Sequence, residues 1–271
     1  MTPANGIYRR RQFGPFHVLE AAYKPGLRMS PHEDGVALRI SIVLAGLVQE
    51  DSRGVTEFGS AASVVVKPSD VRHANVFGNE GAQLVSIVIP EEVIPDRRGL
   101  SEWTWHHGGP ISRDATSLVR IYRTESETAG AVEACTYALL DTLREDTSEA
   151  GAPAAVPAWL RRVRERLHEE FAEAYSVAEL AEEARVHPVY LTRLFRRHFQ
   201  CSVTRYVQRL RVRYAAAVLA SPRDRSVARL AQEAGFFDQS HFSRTFRNEF
   251  GLAPGQFRSI MRLPGRRQFN E

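Results

Sequence analysis

The chain's 271 residues, 43% hydrophobic and 25% charged, have the make-up of a soluble globular protein with room for one large or two ordinary domains. No stretch approaches the roughly 18 consecutive apolar residues of a membrane span, no apolar run follows the N-terminal arginines, and Cys135 and Cys201 have no CxxC or Cys/His cluster beside them; this excludes a spanning helix, a signal peptide, a disulfide framework and a zinc finger, and leaves a reducing cytoplasm without membrane contact as the expectation. The net charge of +4 hides a division, because residues 1–156 hold 15 Lys+Arg against 20 Asp+Glu whereas residues 157–271 hold 21 against 12.

From Phe16 to Ile89, short β-rich runs (FHVLEAAY, ALRISIVLAGLV, SVVVK, HANVF, QLVSIVI) alternate with Pro, Gly, Asp and Asn, the pattern of an antiparallel sandwich or barrel. After WTWHHGGP, Trp103 to Pro110, the period changes to that of two helices over Ile111 to Glu145, broken near Thr128 to Gly130. Their apolar stripes, with Leu118, Ile121, Tyr122, Leu139, Leu140 and Leu143, either join two copies of the chain or pack on the barrel. Asp146 to Pro157 (DTSEAGAPAAVP) reads as a linker, and everything beyond it reads as helical. The expected division is therefore 1–110, a β domain; 111–156, a helical dimerisation or linker region; and 157–271, an all-α domain.

The second half repeats itself. Leu180, Ala181, Glu183 and Ala184 recur 50 residues on as Leu230, Ala231, Glu233 and Ala234. Arg193, Phe195, Arg196, Phe199 and Arg211 recur 51 residues on as Arg244, Phe246, Arg247, Phe250 and Arg262, the extra residue falling in the turn between the two groups. Each copy reads as a short amphipathic helix, a tight turn and a second helix with a basic outer face, the helix-turn-helix pattern. In the first copy Val177 to Ala184 leads through Arg185-Val186-His187 to the helix Pro188 to Phe199, with Pro at a position where its missing N–H costs nothing. In the second, Val227 to Ala234 leads through Gly235 to a helix Gln239 to Phe250 that Asp238 is placed to cap.

Between Arg185 and Arg267 the chain has 17 arginines against four acids, a segment that attracts polyanions because each neutralised phosphate releases counterions. Arg pairs with guanine, Gln with adenine, and an apolar tip meets a thymine methyl. The expected base readers, in the first turn and a half of each second helix, are Val189, Thr192, Arg193, Gln239, Ser240 and Arg244. Arg196, Arg197 and Arg247 are expected on phosphates, and Tyr190 and His241 complete the DNA-binding face.

At these residues, roughly Trp159 to Arg262, the chain resembles the AraC/XylS family of bacterial transcription regulators, most specifically in AGFFDQSHFSRTFRNEFGLAPGQFR, Ala234 to Arg258. The resemblance implies two helix-turn-helix units joined by a long helix, here Val203 to Ala220, that sets both recognition helices into successive major grooves. Gln200 and Val203 stand where the family usually has glycine and proline. Further upstream, PGLRMSPHED, VLAGLV and VVVKPSDVRHANVF resemble a cupin-like sensor domain. That implies a small-molecule pocket, for which His32, His73, Trp103 and Trp105 are the candidates.

The resulting reading is a DNA-binding regulator without catalysis or cofactor. Its partners are promoter DNA and a small-molecule effector, with RNA polymerase and a second copy of the chain as further candidates. The alternative is a metal-dependent cupin enzyme or metal sensor fused to a DNA-binding module, with His32, Asp34 and His73 as ligands. Against it, the cupin HxH pair lacks its second histidine, and the glutamate such sites add has no evident place.

Overall fold

In the computed structural model, residues 6–35, 37–124, 129–146 and 156–262 are described. The N-terminal part is one antiparallel sheet built on two long strands. These are β4 (Ala37–Ser52) and β7 (His73–Pro90), paired along their whole length from Ala37 opposite Pro90 to Ser52 opposite His73. Bulges between Val43 and Ala45 and between Gly46 and Val48 bend the pair. One half of it carries β1 (Gly6–Phe13), β2 (Phe16–Tyr23), β6 (Ser63–Lys67) and β8 (Thr104–His107) in the order β1-β2-β7-β4-β6-β8. The other half carries β3 (Arg28–His32) on β7 and β5 (Val55–Gly59) on β4. The bend brings β5 back to β8, where Gly59 lies so close to the Trp105 ring that a Cβ there would come within 2.0 Å of it. Four strands lie outside the expected β-rich runs: β1, in the arginine-bearing N-terminus, β3 and β5, short and mostly exposed between the runs, and β8, within the tryptophan-rich stretch.

Two helices follow, α1 (Gly109–Arg123) and α2 (Ala129–Asp146). Leu118, Tyr122, Leu139, Leu140 and Leu143 are buried in one core with Ile40, Ile42, Val64, Val85 and Ile87 of the sheet, and Ile121 packs at its edge. The apolar stripes are therefore used inside the chain. Most of the expected linker, residues 147–155, lies outside the described residues, as does Thr128 of the expected helix break; Ala129 and Gly130, the rest of that break, instead open α2.

The C-terminal part contains α3 (Ala158–Glu169), α4 (Val177–Glu183), α5 (Pro188–Phe199), α6 (Val203–Ala220), α7 (Val227–Glu233), α8 (Gln239–Phe250) and α9 (Pro254–Met261). Local chemistry starts them: Ser176 and Glu179 form a reciprocal cap, Ser202 and Ser226 cap α6 and α7, and Asp238 Oδ1 accepts from the His241 amide at 2.7 Å. The arginines that recur at Arg211 and Arg262 do equivalent work in each unit. Arg211 donates to the carbonyls of Phe171, Glu173 and Gly235, and Arg262 to those of Leu219 and Arg223, so each ties down the loop ahead of its unit's first helix.

The two units differ in what they pack against. The first has a core of its own, with Leu160, Leu180, Leu191, Phe195, Val203 and Val207. The second, with Leu230, Phe242, Phe246, Phe250 and Phe257, shares the core of the sheet and of α1 and α2. Helix α6 bridges them, its start in the first core and Val212, Ala215, Ala216 and Leu219 in the second. Polar ties reinforce the shared side. Glu249 of α8, fully buried, accepts from the Gly109 amide at the start of α1 (2.9 Å) and from Arg205 of α6 (2.8 Å), with Arg209 Nε at 3.4 Å. Arg123 of α1 bonds both Glu20 of β2 and the Ile260 carbonyl of α9.

The unusual Gln200 occupies the left-handed position that ends α5, at φ 54°, where the matching Gly251 ends α8 at φ 75°. A side chain in that region costs about 1–2 kcal/mol. Replacing Gln200→Gly is expected to raise the unfolding free energy by about 0.5–1 kcal/mol, since glycine's extra chain entropy cancels part of the gain. Gly251→Gln is expected to lower it by about 2 kcal/mol or more, because its Cβ would also stand 2.8 Å from Arg113 Cγ. Urea titrations of the two variants check both signs.

Candidate functional site

The outer faces of α5 and α8 are as the sequence places them. Val189, Tyr190, Thr192, Arg193, Arg196 and Arg197 are exposed on α5, and Gln239, Ser240, Arg244 and Arg247 on α8. Their burial patterns explain why, since Leu191 and Phe195, and Phe242, Phe246 and Phe250, take the opposite faces into the cores. Val189 is 66% exposed and Tyr190 50%, so the two place adjacent apolar surface at the start of α5. Val189, Thr192, Arg193, Arg196, Arg197 and Gln200 line an open concavity of about 620 Å³ along α5. His241 is only half-exposed, its ring edge-on to that of buried Phe236 at 5.3 Å, so it is held as much by packing as it is offered outward.

Inside the sheet domain a second polar group assembles from strands distant in sequence. Strand alternation puts Glu50 of β4, Lys67 of β6 and His73 and Asn75 of β7 on inner faces, two residues along from apolar Val48, Val65 and Phe77. Lys67 Nζ lies 3.1 Å from Glu50 Oε1 and 3.4 Å from Asp34 Oδ2, and Arg39 Nε lies 3.3 Å from the same Asp34 oxygen. Asn75 and the Trp103 indole donate to the two oxygens of Glu50 at 2.8 and 2.9 Å. His73 Nε2 stands 3.6 Å from Asp34 and 3.5 Å from Glu50, while Nδ1 faces the Val71 carbonyl, and the His32 ring lies 4.6 Å away.

Burial would raise the carboxyl of Asp34, but the Lys67 ammonium, with the Arg39 guanidinium, outweighs it and holds the pKa at about 2. Burial likewise works against charge on Glu50 and Lys67, yet their mutual attraction wins, so the Glu50 pKa falls and that of Lys67 rises. His73 goes the other way: burial, then the nearby ammonium, push it below its ordinary value and leave it neutral. Trp105 stands beside this cluster, paired across β6 with Val65 and packed among Val43, Val48, Phe77 and Leu84. Of the four candidate pocket residues, His32, His73 and Trp103 meet in the charged cluster, and Trp105 belongs to its apolar flank.

Comparison with known proteins decides what the C-terminal part is. Residues 180–260 match a family described as a helix-turn-helix domain. The transcriptional activator RhaS of Escherichia fergusonii is 37% identical over 92 residues, 34% of this chain and 33% of the relative. Residues 180–260 are an AraC-type helix-turn-helix domain. The transcriptional activator RhrA of Rhizobium meliloti is 29% identical over 152 residues, 55% of this chain and 48% of the relative. The Msm operon regulatory protein of Streptococcus mutans is 28% identical over 101 residues, covering 37% of this chain and 36% of the relative. These matches span less than half the length of each relative. Among solved structures, ToxT of Vibrio cholerae aligns over 95% of this chain and 99% of its own, at 14% identity and a TM-score of 0.41.

Ahead of the AraC-type domain, ligand atoms of His32, Asp34 and His73 lie within 4.8 Å of one another, as a metal site requires. The set does not fit a divalent ion, because Lys67 and Arg39 already supply the positive charge that Asp34 faces. The sequence reading missed Glu50, Lys67, Arg39 and Asn75 altogether. A signal was present: a glutamate and a lysine at the ends of otherwise apolar β runs, on the alternation that points inward. Among the described residues no helix is long and apolar enough to cross a membrane.

Two outcomes follow for the cluster. Lys67→Met leaves Glu50 buried without its counter-ion and Asp34 with Arg39 alone, and is expected to cost about 3 kcal/mol in denaturant titration, part of which Glu50→Gln restores in the double variant. Asp34 binds its proton less readily when folded, at about 2 against 3.8. It therefore contributes about 2 kcal/mol above pH ~4 that is lost as pH falls toward ~2, and Asp34→Asn should flatten the acid limb of the stability–pH curve.

Proposed function

We propose that the protein is a transcription regulator in which the AraC-type domain reads promoter DNA and the N-terminal sheet domain senses a small molecule. The observation that carries the reading is the pair of exposed, arginine-bearing faces of α5 and α8, duplicated in sequence and joined through α6. A single solvated basic face would be ordinary. Two of them, repeated at one spacing on recognition helices of a helix-turn-helix domain, suit successive major-groove segments on one side of a duplex. Both helices lie in one chain, so the site need not be palindromic.

In this reading Arg193, Thr192 and Val189 of α5 and Gln239, Ser240 and Arg244 of α8 read bases. Arg196, Arg197 and Arg247 hold phosphates, and Tyr190 and His241 flank the readers. The effector pocket is the inner face of the sheet domain, where His32, His73 and Trp103 offer polar contacts and Trp105 an apolar wall. The protein works in the cytoplasm, with RNA polymerase as the machinery it influences and no chemical step of its own. A second copy would have to use a surface other than the α1 and α2 stripes, which the chain's own core occupies.

Selection from a randomised duplex library with the full chain gives the operator, and variants then assign the readers. Arg193→Ala and Arg244→Ala are each expected to cost about 1–3 kcal/mol at one base position and to relax preference there. Arg197→Ala is expected to weaken all sequences alike and to reduce the salt slope by about 1. Equal loss on every sequence for all three variants would remove Arg193 and Arg244 from the readers.

A further inference from the structure

The one-residue difference between the two repeats has a definite place in the fold. Each unit's first helix ends the same way: Arg185 and Gly235 both take positive φ (55° and 79°), and the following amides, Val186 and Phe236, bond back to Ala181 and Ala231. In the first unit the next residue, His187, is already the cap of α5, whereas in the second, Phe237 intervenes before the cap Asp238. Phe237 is thus the inserted residue. It is 97% exposed, the most exposed of the large apolar side chains among the described residues, while its neighbour Phe236 is buried.

An exposed phenyl ring beside a recognition helix has no packing role in the chain itself. The first unit offers apolar surface from its helix, at Val189 and Tyr190. By the 51-residue offset the corresponding positions of the second are Ser240 and His241, both polar. Phe237 restores apolar surface beside that place, one residue ahead of the cap Asp238 at the helix N-terminus, the end that enters the major groove. In that groove the apolar group a base presents is the C5-methyl of thymine.

We propose that Phe237 is a specificity-determining DNA contact that packs on a thymine methyl beside the bases faced by Gln239 and Ser240. The inference rests on the DNA-binding reading above. It adds a contact made by the turn rather than by the helix, one that discriminates by methyl burial and is indifferent to phosphate charge.

The test uses the full chain, wild type and Phe237→Ala, selecting from a randomised duplex library, followed by binding to the wild-type consensus duplex with single thymines replaced by uracil. Wild type is expected to prefer thymine at one position flanking the α8 segment and to lose about fourfold in affinity when that thymine becomes uracil, the worth of one buried methyl. Phe237→Ala should lose both the preference and the uracil effect, with unchanged thermal stability and unchanged salt slope, and Phe237→Leu should keep part of each. If both proteins select the same sequence with the same thymine preference and respond alike to uracil, the inference is overturned and the ring serves something other than DNA. A Phe237→Ala loss spread evenly over all sequences overturns it too. If wild type selects no sequence at all, the parent reading fails instead.

Discussion

A carboxylate without solvent must be answered by charge and hydrogen bonds, and Glu249 sets that demand at the junction of the whole molecule. It sits on the second recognition helix, and its partners are the first turn of α1 and two arginines of α6. Leaving a buried charge unanswered costs several kcal/mol, so the contact requires α1, α6 and α8 to meet in one arrangement. Around it the phenylalanines of α8 and α9 run into the core of the sheet domain. The second unit is consequently a structural extension of the N-terminal part. The first unit, with its separate core, is joined to the rest mainly through α6 and the Arg211 clamp.

The chain holds its charges in two opposite conditions. On α5 and α8 arginines stand exposed, their field open to a polyanion. In the sheet domain Asp34, Glu50, Lys67 and Arg39 satisfy one another out of reach of bulk water, and the neutral His73 completes the group. The first arrangement keeps affinity for a partner, and the second gives one interior a definite polar shape. A molecule entering that interior would meet fixed dipoles and paired ions along one part of the wall and Trp105, Val48 and Phe77 along another.

What was legible in the sequence is what local chemistry determines. The bounds of α5 and α8 agree with the periodicity because Pro188 and Asp238 mark their starts and the apolar spacing marks their faces, and those of α6 agree with the helix that the family resemblance implies. The outward side chains follow from the same spacing. Strand β1 was not legible, because GIYRRRQF has too little alternation to stand out until β2 pairs with it. Of the ionic cluster only His32, Asp34 and His73 were legible, through the cupin resemblance; Glu50, Lys67, Arg39 and Asn75 come from β4, β6 and β7 and meet them only once the long strands pair. Glu249 is the sharpest case. As one acid on a basic helix it reads as a surface residue, and its burial depends on α1, far away in sequence.

The bridging role of α6 gives it the geometry of a brace. Its 18 residues span about 27 Å at 1.5 Å per residue, with the C-terminal end seated in the sheet-domain core and the other end packed in the core of the first unit. That other end is pinned as well, because Arg205 and Arg209 of its first two turns hold the buried Glu249 of α8. A helix fastened at both ends fixes the spacing between the two recognition helices, and a rigid DNA helix with its own fixed pitch would register that spacing as a match or a mismatch.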